Sequence, residues 1–237
     1  MNFCAKQSLA PRYSKRYHQS KVIFVNFKTY QEGTGEKALE LAKICQEVAR
    51  ESGLEIMAVV QVADIWRITQ ELSLPVWAQH LDAIEYGPNT GQILPEAVVA
   101  AGAKGTLLNH SENQLPVEVI KEAIGRCQEL KLKVLVCSNS LEEAPVIAEA
   151  KPDFIAFEPP ELIGSQTTSV STTKPEIIED FVREVKDIPI LVGAGVHSRE
   201  DVRMALSLGA VGILVATDLV LAKDPKKELL DLAGGFK

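Results

Sequence analysis

The chain has 237 residues, of which 46% are hydrophobic and 24% are charged, and it carries a formal net charge of −7. This length suits one large α/β domain or two small ones, and the hydrophobic fraction supports a full core. The negative charge disfavours a general attraction to nucleic acid or to an anionic membrane, so an anionic ligand would need a local positive site.

The first 21 residues differ from the rest of the chain because all their charges are basic. They hold five lysines and arginines and no acid, and they lack an apolar run suited to a signal peptide or a membrane span. A basic start that contains serine also resembles a transit peptide, but a flexible extension or an upstream start codon is the favoured interpretation. We therefore expect a basic, flexible extension over residues 1–21 and one folded domain over residues 22–237, in the cytoplasm.

The four cysteines are scattered along the chain and form no C-x-x-C pair; they are Cys4, Cys45, Cys127 and Cys137. Two of them fall on apolar faces of predicted helices, and Cys137 ends a predicted strand. This pattern predicts buried free thiols, which fits a reducing compartment. A metal site has no support in the sequence.

Strand and helix patterns alternate from Val22 to the end of the chain. The predicted strands are apolar runs at Val22–Phe27, Glu55–Val62, Val76–Gln79, Lys104–Asn109, Lys133–Cys137, Pro152–Phe157, Pro189–Val192 and Val211–Ala216. The predicted helices are Glu36–Ser52, Ala63–Leu72, Pro95–Ala101, Val117–Leu130, Ser140–Ala150, Pro175–Lys186, Arg199–Leu208 and Pro225–Leu232. A capping box is predicted twice, for Ser140 with Glu143 and for Thr173 with Glu176.

About eight βα units predict a closed (β/α)₈ barrel, a single domain of the α/β class. The strands are apolar runs without alternation, as expected when helices cover one face and the barrel interior the other. An open, doubly wound sheet is the alternative fold. It would require a glycine-rich turn after the first strand, where Asn26-Phe27-Lys28 stands instead.

Polar groups follow three of the predicted strands at the point where each strand ends. Lys28 follows the first strand, His110 the fourth and Glu158 the sixth. Each alone could be a surface lysine, a partly buried histidine or a loop glutamate, but the carboxyl ends of barrel strands meet at the face where active sites form. Together they predict a catalytic site, with a raised pKa for Glu158 beside Phe157 and a neutral His110 at a helical turn.

Small residues follow the last two predicted strands, at Gly193-Ala194-Gly195 and at Ala216-Thr217. Backbone N–H groups can approach an anion there, and phosphate commonly binds at these two positions in barrels. The glycines could also serve only to turn the chain. The pattern is typical of phosphate-binding barrels in general and does not identify a reaction.

From about Val22 to its end, the chain resembles the triosephosphate isomerases in their compact archaeal-type form. The motifs that carry the resemblance are Asn26-Phe27-Lys28, Ala78-Gln79-His80, Thr90-Gly91, Asn109-His110-Ser111-Glu112, Glu158-Pro159-Pro160-Glu161-Leu162-Ile163-Gly164, Gly193-Ala194-Gly195 and Gly212–Thr217. The resemblance implies a TIM barrel that interconverts dihydroxyacetone phosphate and glyceraldehyde 3-phosphate, with no cofactor and no metal.

The resemblance also implies a role for each site residue. Glu158 would move the proton between two carbons, neutral His110 would polarise the carbonyl and stabilise the enediolate, and Lys28 would supply positive charge; this division of roles is the one known for the family. The substrate-binding residues would be Asn26, Phe27, Lys28, Ile163, Gly164, Gly193, Gly195, Ala216 and Thr217.

Assembly and loop closure are implied in the same way. The stretch Leu81–Ile93 would project into a neighbouring subunit beside Lys28, within a homotetramer built as a dimer of dimers, and Glu158–Lys174 would close over the site as a lid. The chain departs from the family in its longer N-terminal extension, in Ser165 where a second lid glycine is common, and in Thr217 where serine is frequent.

Two other classes of function remain as alternatives. Another phosphosugar barrel enzyme is one, but an aldolase needs a lysine nucleophile in the barrel mouth, where the sixth strand ends in Glu158, and an epimerase would want a metal cluster. The other is a non-catalytic scaffold, in which one of the three catalytic groups would be lost. The expected partner is a small phosphorylated triose, with neither nucleic acid nor membrane.

Overall fold

The structure is a computed structural model, which describes residues 21–158, 175–185 and 187–237. Eight parallel strands close into a barrel in sequence order, and the first strand pairs with the last. The strands are β1 Val22–Asn26, β2 Glu55–Val60, β3 Val76–Ala78, β4 Gly105–Leu108, β5 Lys133–Ser138, β6 Phe154–Phe157, β7 Ile190–Val192 and β8 Gly212–Val215. The predicted single-domain (β/α)₈ barrel is confirmed.

The helices surround the barrel and join its consecutive strands. Within the described ranges they are α1 Glu36–Ser52, α2 Val62–Glu71, α3 Pro95–Ala100, α4 Val117–Glu129, α5 Glu143–Ala148, α6 Pro175–Glu184, α7 Arg199–Ser207, α8 Thr217–Val220 and α9 Pro225–Gly234. A short 3₁₀ helix, Gln31–Gly33, precedes α1. No helix in the described part of the chain is long and apolar enough to cross a membrane.

Element bounds differ from the prediction mainly where polar residues end an element. β4 stops at Leu108 because Asn109 adopts a left-handed backbone, with φ of 57°, and turns the chain away from the sheet. At α5, Ser140 Oγ accepts the backbone N–H of Glu143 at 3.1 Å, as predicted. However, the Glu143 carboxylate accepts bonds from Ser138 and Asn109, so only one half of the capping box forms. The second predicted capping box includes Thr173, which lies outside the described residues.

The barrel interior is filled by side chains and is not a pore. The rings of Phe24 and Trp77 meet edge to face with centroids 4.8 Å apart, and Phe154 packs on Phe24 at 5.4 Å. Gly105 makes room for this cluster, because a Cβ there would lie 2.5 Å from the Trp77 ring. A ligand can therefore bind only at the rim of the barrel.

Four buried polar side chains stand at the carboxyl ends of strands, where the apolar core stops. Asn26 ends β1 and Ser138 ends β5, while Asn109 directly follows β4 and Glu158 directly follows β6. Burial of a polar group is unfavourable unless it is paired, so this rim is organised by the hydrogen bonds described below.

Candidate active site

Glu158 is a buried carboxylate at the end of β6, with 4% of its surface exposed. Burial raises its pKa from an ordinary 4.5 to about 7. Three neighbours oppose this rise in pKa: the thiol of Cys137, a backbone hydrogen bond from Ser111, and the positive charge of Lys28. The predicted raised pKa is thus present, and it places Glu158 close to the value that suits a general base at neutral pH.

The backbone around Glu158 is tightly packed. Its N–H donates to the carbonyl of Ser138 at 2.9 Å, which fixes the carboxyl end of β6 against β5. On the other side, a Cβ added to Gly193 would lie only 2.8 Å from Glu158 Cγ. Position 193 therefore requires glycine, because any side chain there would displace the carboxylate of Glu158.

His110 faces Glu158 across the mouth of the barrel, with Nε2 at 3.5 Å from Glu158 Oε1. Its Nδ1 accepts the backbone N–H of Glu112 at 3.2 Å, so Nδ1 carries no proton and the neutral ring holds its proton on Nε2. Burial is the main cause that lowers the pKa of His110, with a smaller lowering from Lys28 and an opposing effect of Glu112. The predicted neutral imidazole is supported, although burial, and not a helix terminus, is its principal cause.

Lys28 reaches the site from the loop after β1, where its backbone is left-handed with φ of 50°. Its N–H donates to Asn26 Oδ1 at 3.0 Å, and Gln79 Nε2 donates to the Lys28 carbonyl at 2.8 Å. Its ammonium group pairs with Glu112 Oε1 at 2.7 Å. The side chains of Asn26 and Gln79 therefore hold this unusual backbone in place, and Glu112 directs the ammonium.

The residues predicted to bind phosphate lie together at the ends of β7 and β8. Gly193, Gly195, Ala216 and Thr217 line one cavity of about 150 Å³, which Asn26, Lys28, His110 and Glu158 also line. Gly195 has a φ of 68°, a conformation that favours glycine. The predicted catalytic and phosphate-binding groups thus share one cavity.

Among the predicted site residues that the structure describes, Phe27 is not part of this cavity. Phe27 is wholly buried between the barrel and its helices, and it does not contribute to the cavity lining. Ile163 and Gly164 lie outside the described residues, as does the predicted lid after Glu158. No cluster of three or more metal-ligating side chains occurs in the described ranges.

Sequence reasoning missed several residues that touch the catalytic groups. Cys137 was predicted only as a buried thiol, yet it hydrogen bonds to Glu158 from the neighbouring strand. Its position at a strand end was the available signal. Gln79 and Glu112 stand inside recognised motifs, but only the structure shows that they hold Lys28.

Comparison with known proteins finds matches along most of the chain. The family model described as triosephosphate isomerase matches residues 21–233. The chain belongs to the triosephosphate isomerase family. It is 47% identical to the triosephosphate isomerase of Methanobacterium bryantii over 218 residues, which cover 90% of this chain and 96% of the relative. It is 43% identical to that of Methanocaldococcus jannaschii over 215 residues, which cover 89% and 98%.

The fold of the family is also found among solved structures. The crystal structure of triosephosphate isomerase from Bartonella henselae aligns with a TM-score of 0.73 and covers 91% of this chain and 98% of that one. The sequence identity is only 19%, so this similarity supports the fold alone.

Proposed function

We propose that this member of the triosephosphate isomerase family interconverts dihydroxyacetone phosphate and D-glyceraldehyde 3-phosphate, a step of glycolysis and gluconeogenesis. The observation that carries the proposal is the pairing of Glu158, whose pKa is about 7, with the neutral His110 at 3.5 Å. An isomerisation through an enediolate needs one group that takes and returns a proton and another that donates to an oxygen.

In the proposed mechanism, ionised Glu158 removes a proton from the carbon beside the substrate carbonyl. The electron pair moves onto the carbonyl oxygen, to which His110 offers its Nε2–H, and Lys28 adds positive charge nearby. Glu158 then returns its proton to the former carbonyl carbon, and the proton of the substrate hydroxyl passes to the other oxygen by way of His110 Nε2, so that the hydroxyl and carbonyl exchange places. The substrate and the product are isomers of each other, so the reaction needs no external oxidant or reductant.

The phosphate end of the substrate is assigned to the other half of the cavity. Backbone N–H groups around Gly193, Gly195, Ala216 and Thr217 would receive the phosphate, joined by Ile163 and Gly164. Asn26 would act by orienting Lys28, to whose backbone N–H it is bonded. Phe27 would support the same strand end from within the core.

We also propose that the protein is a cytoplasmic homotetramer and that residues 1–21 form an extension outside the barrel. The loop after β3 supports the assembly. Asp82 and Ile93 close its base, with hydrogen bonds of 3.0 Å and 2.6 Å, so the intervening residues form one projecting loop. Tyr86 at its tip is 77% exposed, which is unusual for so large an aromatic side chain unless a partner covers it.

A coupled assay with glyceraldehyde 3-phosphate, with and without a chelator, tests the proposed activity. We expect rapid isomerisation that the chelator leaves unchanged, and a loss of turnover in Glu158→Gln. Absence of isomerisation by the folded parent protein, or full dependence on a metal, would reject the proposal.

A further inference from the structure

A second histidine lies in the part of the cavity assigned to phosphate. His197 follows the loop after β7, and its Nδ1 is 2.5 Å from Oδ2 of Asp218 in the first turn of α8. Both residues line the cavity together with Gly195 and Thr217. The pair joins the ends of β7 and β8, which are the two positions expected to receive the phosphate.

One nitrogen of this ring has no hydrogen-bond partner among the described residues. The backbone N–H of His197 donates to Asp201 Oδ2 at 3.1 Å, and Nδ1 is bonded to Asp218, so the ring is held from two sides. Its Nε2 is inaccessible to solvent and makes no hydrogen bond within the described part of the chain. A buried ring nitrogen without a partner is costly, and an acceptor brought by a ligand would satisfy it.

The charges around the phosphate end favour such a contact. The acidic side chains here are Asp218 and Glu228, and burial, together with the nearby Asp231 and Asp218, raises the pKa of Glu228. Lys28 is paired with Glu112 on the far side of the mouth. A phosphate dianion next to Asp218 would be repelled unless a cation lay between them.

Within the described lining of the cavity, His197 is the basic side chain at this end. The other charged groups near it line an adjoining groove and are Lys223, Asp224 and Lys227. Of this set, only His197 is bonded to the carboxylate of Asp218. A protonated imidazole in this place would neutralise Asp218 and present its second N–H to an anion.

We propose that His197 is a further substrate-binding residue, whose protonated ring is held by Asp218 through Nδ1 and donates its Nε2–H to the phosphate group of the substrate. This proposal rests on the proposed function, because it concerns the phosphate end of the same cavity.

Sulfate is the probe for the test, because it is fully a dianion at pH 6. Its affinity is measured by calorimetry in the Glu158→Gln background, which removes the titration of Glu158 from the same cavity. We expect His197→Gln to bind sulfate roughly tenfold more weakly at pH 6, the size of one charge-assisted hydrogen bond in a partly exposed site.

Two further variants separate this role from a structural one. Asp218→Asn removes a negative charge from the cavity and yet should weaken sulfate binding, because the imidazole ring loses the carboxylate that orients it. His80→Gln is the matched control, since His80 also pairs with an aspartate and also has an unpaired buried nitrogen, but lies after β3. It should leave sulfate affinity as it is in the background protein.

Steady-state kinetics separate the failure of this proposal from the failure of the proposed function. With Glu158 restored, His197→Gln should raise KM for glyceraldehyde 3-phosphate by a larger factor than it changes kcat. An active parent whose His197→Gln form binds sulfate as tightly as its background would overturn the role of His197. A parent without isomerase activity would overturn the proposed function, whatever the sulfate data show.

Discussion

The burial of Glu158 raises its pKa, which favours its action as a base but lowers the stability of the folded protein at neutral pH. An ordinary carboxyl in the unfolded chain has a pKa of 4.5, whereas burial raises the pKa of folded Glu158 to about 7. The folded protein therefore binds this proton more tightly than the unfolded chain. Binding of this proton therefore stabilises the folded protein. The stabilisation is fully present below pH 4.5 and is lost as the pH rises to about 7.

The substitution Glu158→Gln should therefore stabilise the protein while it removes activity. At pH 8 we expect the free energy of unfolding to rise by up to about 3 kcal/mol, with the gain vanishing toward pH 4.5, and kcat to fall by ~100-fold or more. Denaturant titrations at equal protein concentration measure the first quantity. The control is Glu40→Gln on the exposed face of α1, which should show neither effect. A variant that is less stable than the parent at pH 8 would contradict this explanation.

Cys137 provides a second test at the residue scale. Its thiol donates a hydrogen bond that lowers the pKa of Glu158, so Cys137→Ala should raise that pKa. The acid limb of kcat/KM, which falls as Glu158 becomes protonated below about pH 7, should then move to higher pH. Profiles of the parent and of Cys137→Ala are compared with Cys45→Ala, whose thiol is buried in α1. If kcat/KM falls at the same acidic pH in both cysteine variants, the Cys137 thiol does not affect the pKa of Glu158.

At the scale of elements, the site depends on how closely the loop after β7 approaches β6. Gly193→Ala would place a Cβ 2.8 Å from Glu158 Cγ, and a displacement of the base by even about 1 Å can cost 100-fold in rate. We expect a folded protein whose kcat is at least ~10-fold lower. Gly125→Ala is the control, because a Cβ there meets nothing within 4 Å and α4 should gain about 1 kcal/mol of helix propensity. Equal activity in the two variants would show that this approach is unimportant.

The elements also show what sequence patterns can predict. Apolar runs predicted all eight strands, because a strand covered on both faces must be apolar whatever it packs against. The hydrogen bond from the Glu143 N–H to Ser140 Oγ was equally predictable, because the two residues are only three positions apart. The contact of Cys137 with Glu158 and that of His197 with Asp218 join different strands, and no local pattern encodes such distances. The close approach of Gly193 was hidden for the same reason.

At the scale of the whole molecule, the proposed assembly predicts that activity depends on the loop after β3. Tyr86→Asp places a charge at the exposed tip, and burying it against a partner should weaken association by roughly 30-fold or more, as for a central interface residue. Light scattering should detect smaller species with reduced activity. Tyr86→Phe keeps the ring and should retain the assembly of the parent. A parent that is fully active as a monomer would reject this proposal.

The hydrogen-bonded seam between β1 and β8 has a consequence for the order of events during protein synthesis. Val22 to Val25 pair with Gly212 to Val215. One edge of β1 therefore stays unpaired until β8 has been synthesised. Lys28 leaves the ribosome nearly 190 residues before Thr217, yet both line one cavity. At synthesis rates of about 5 to 20 residues per second, this interval lasts roughly ten to forty seconds. A nascent chain that lacks β8 has an open edge and half a binding site, so ligand can stabilise this protein only after its synthesis is nearly complete.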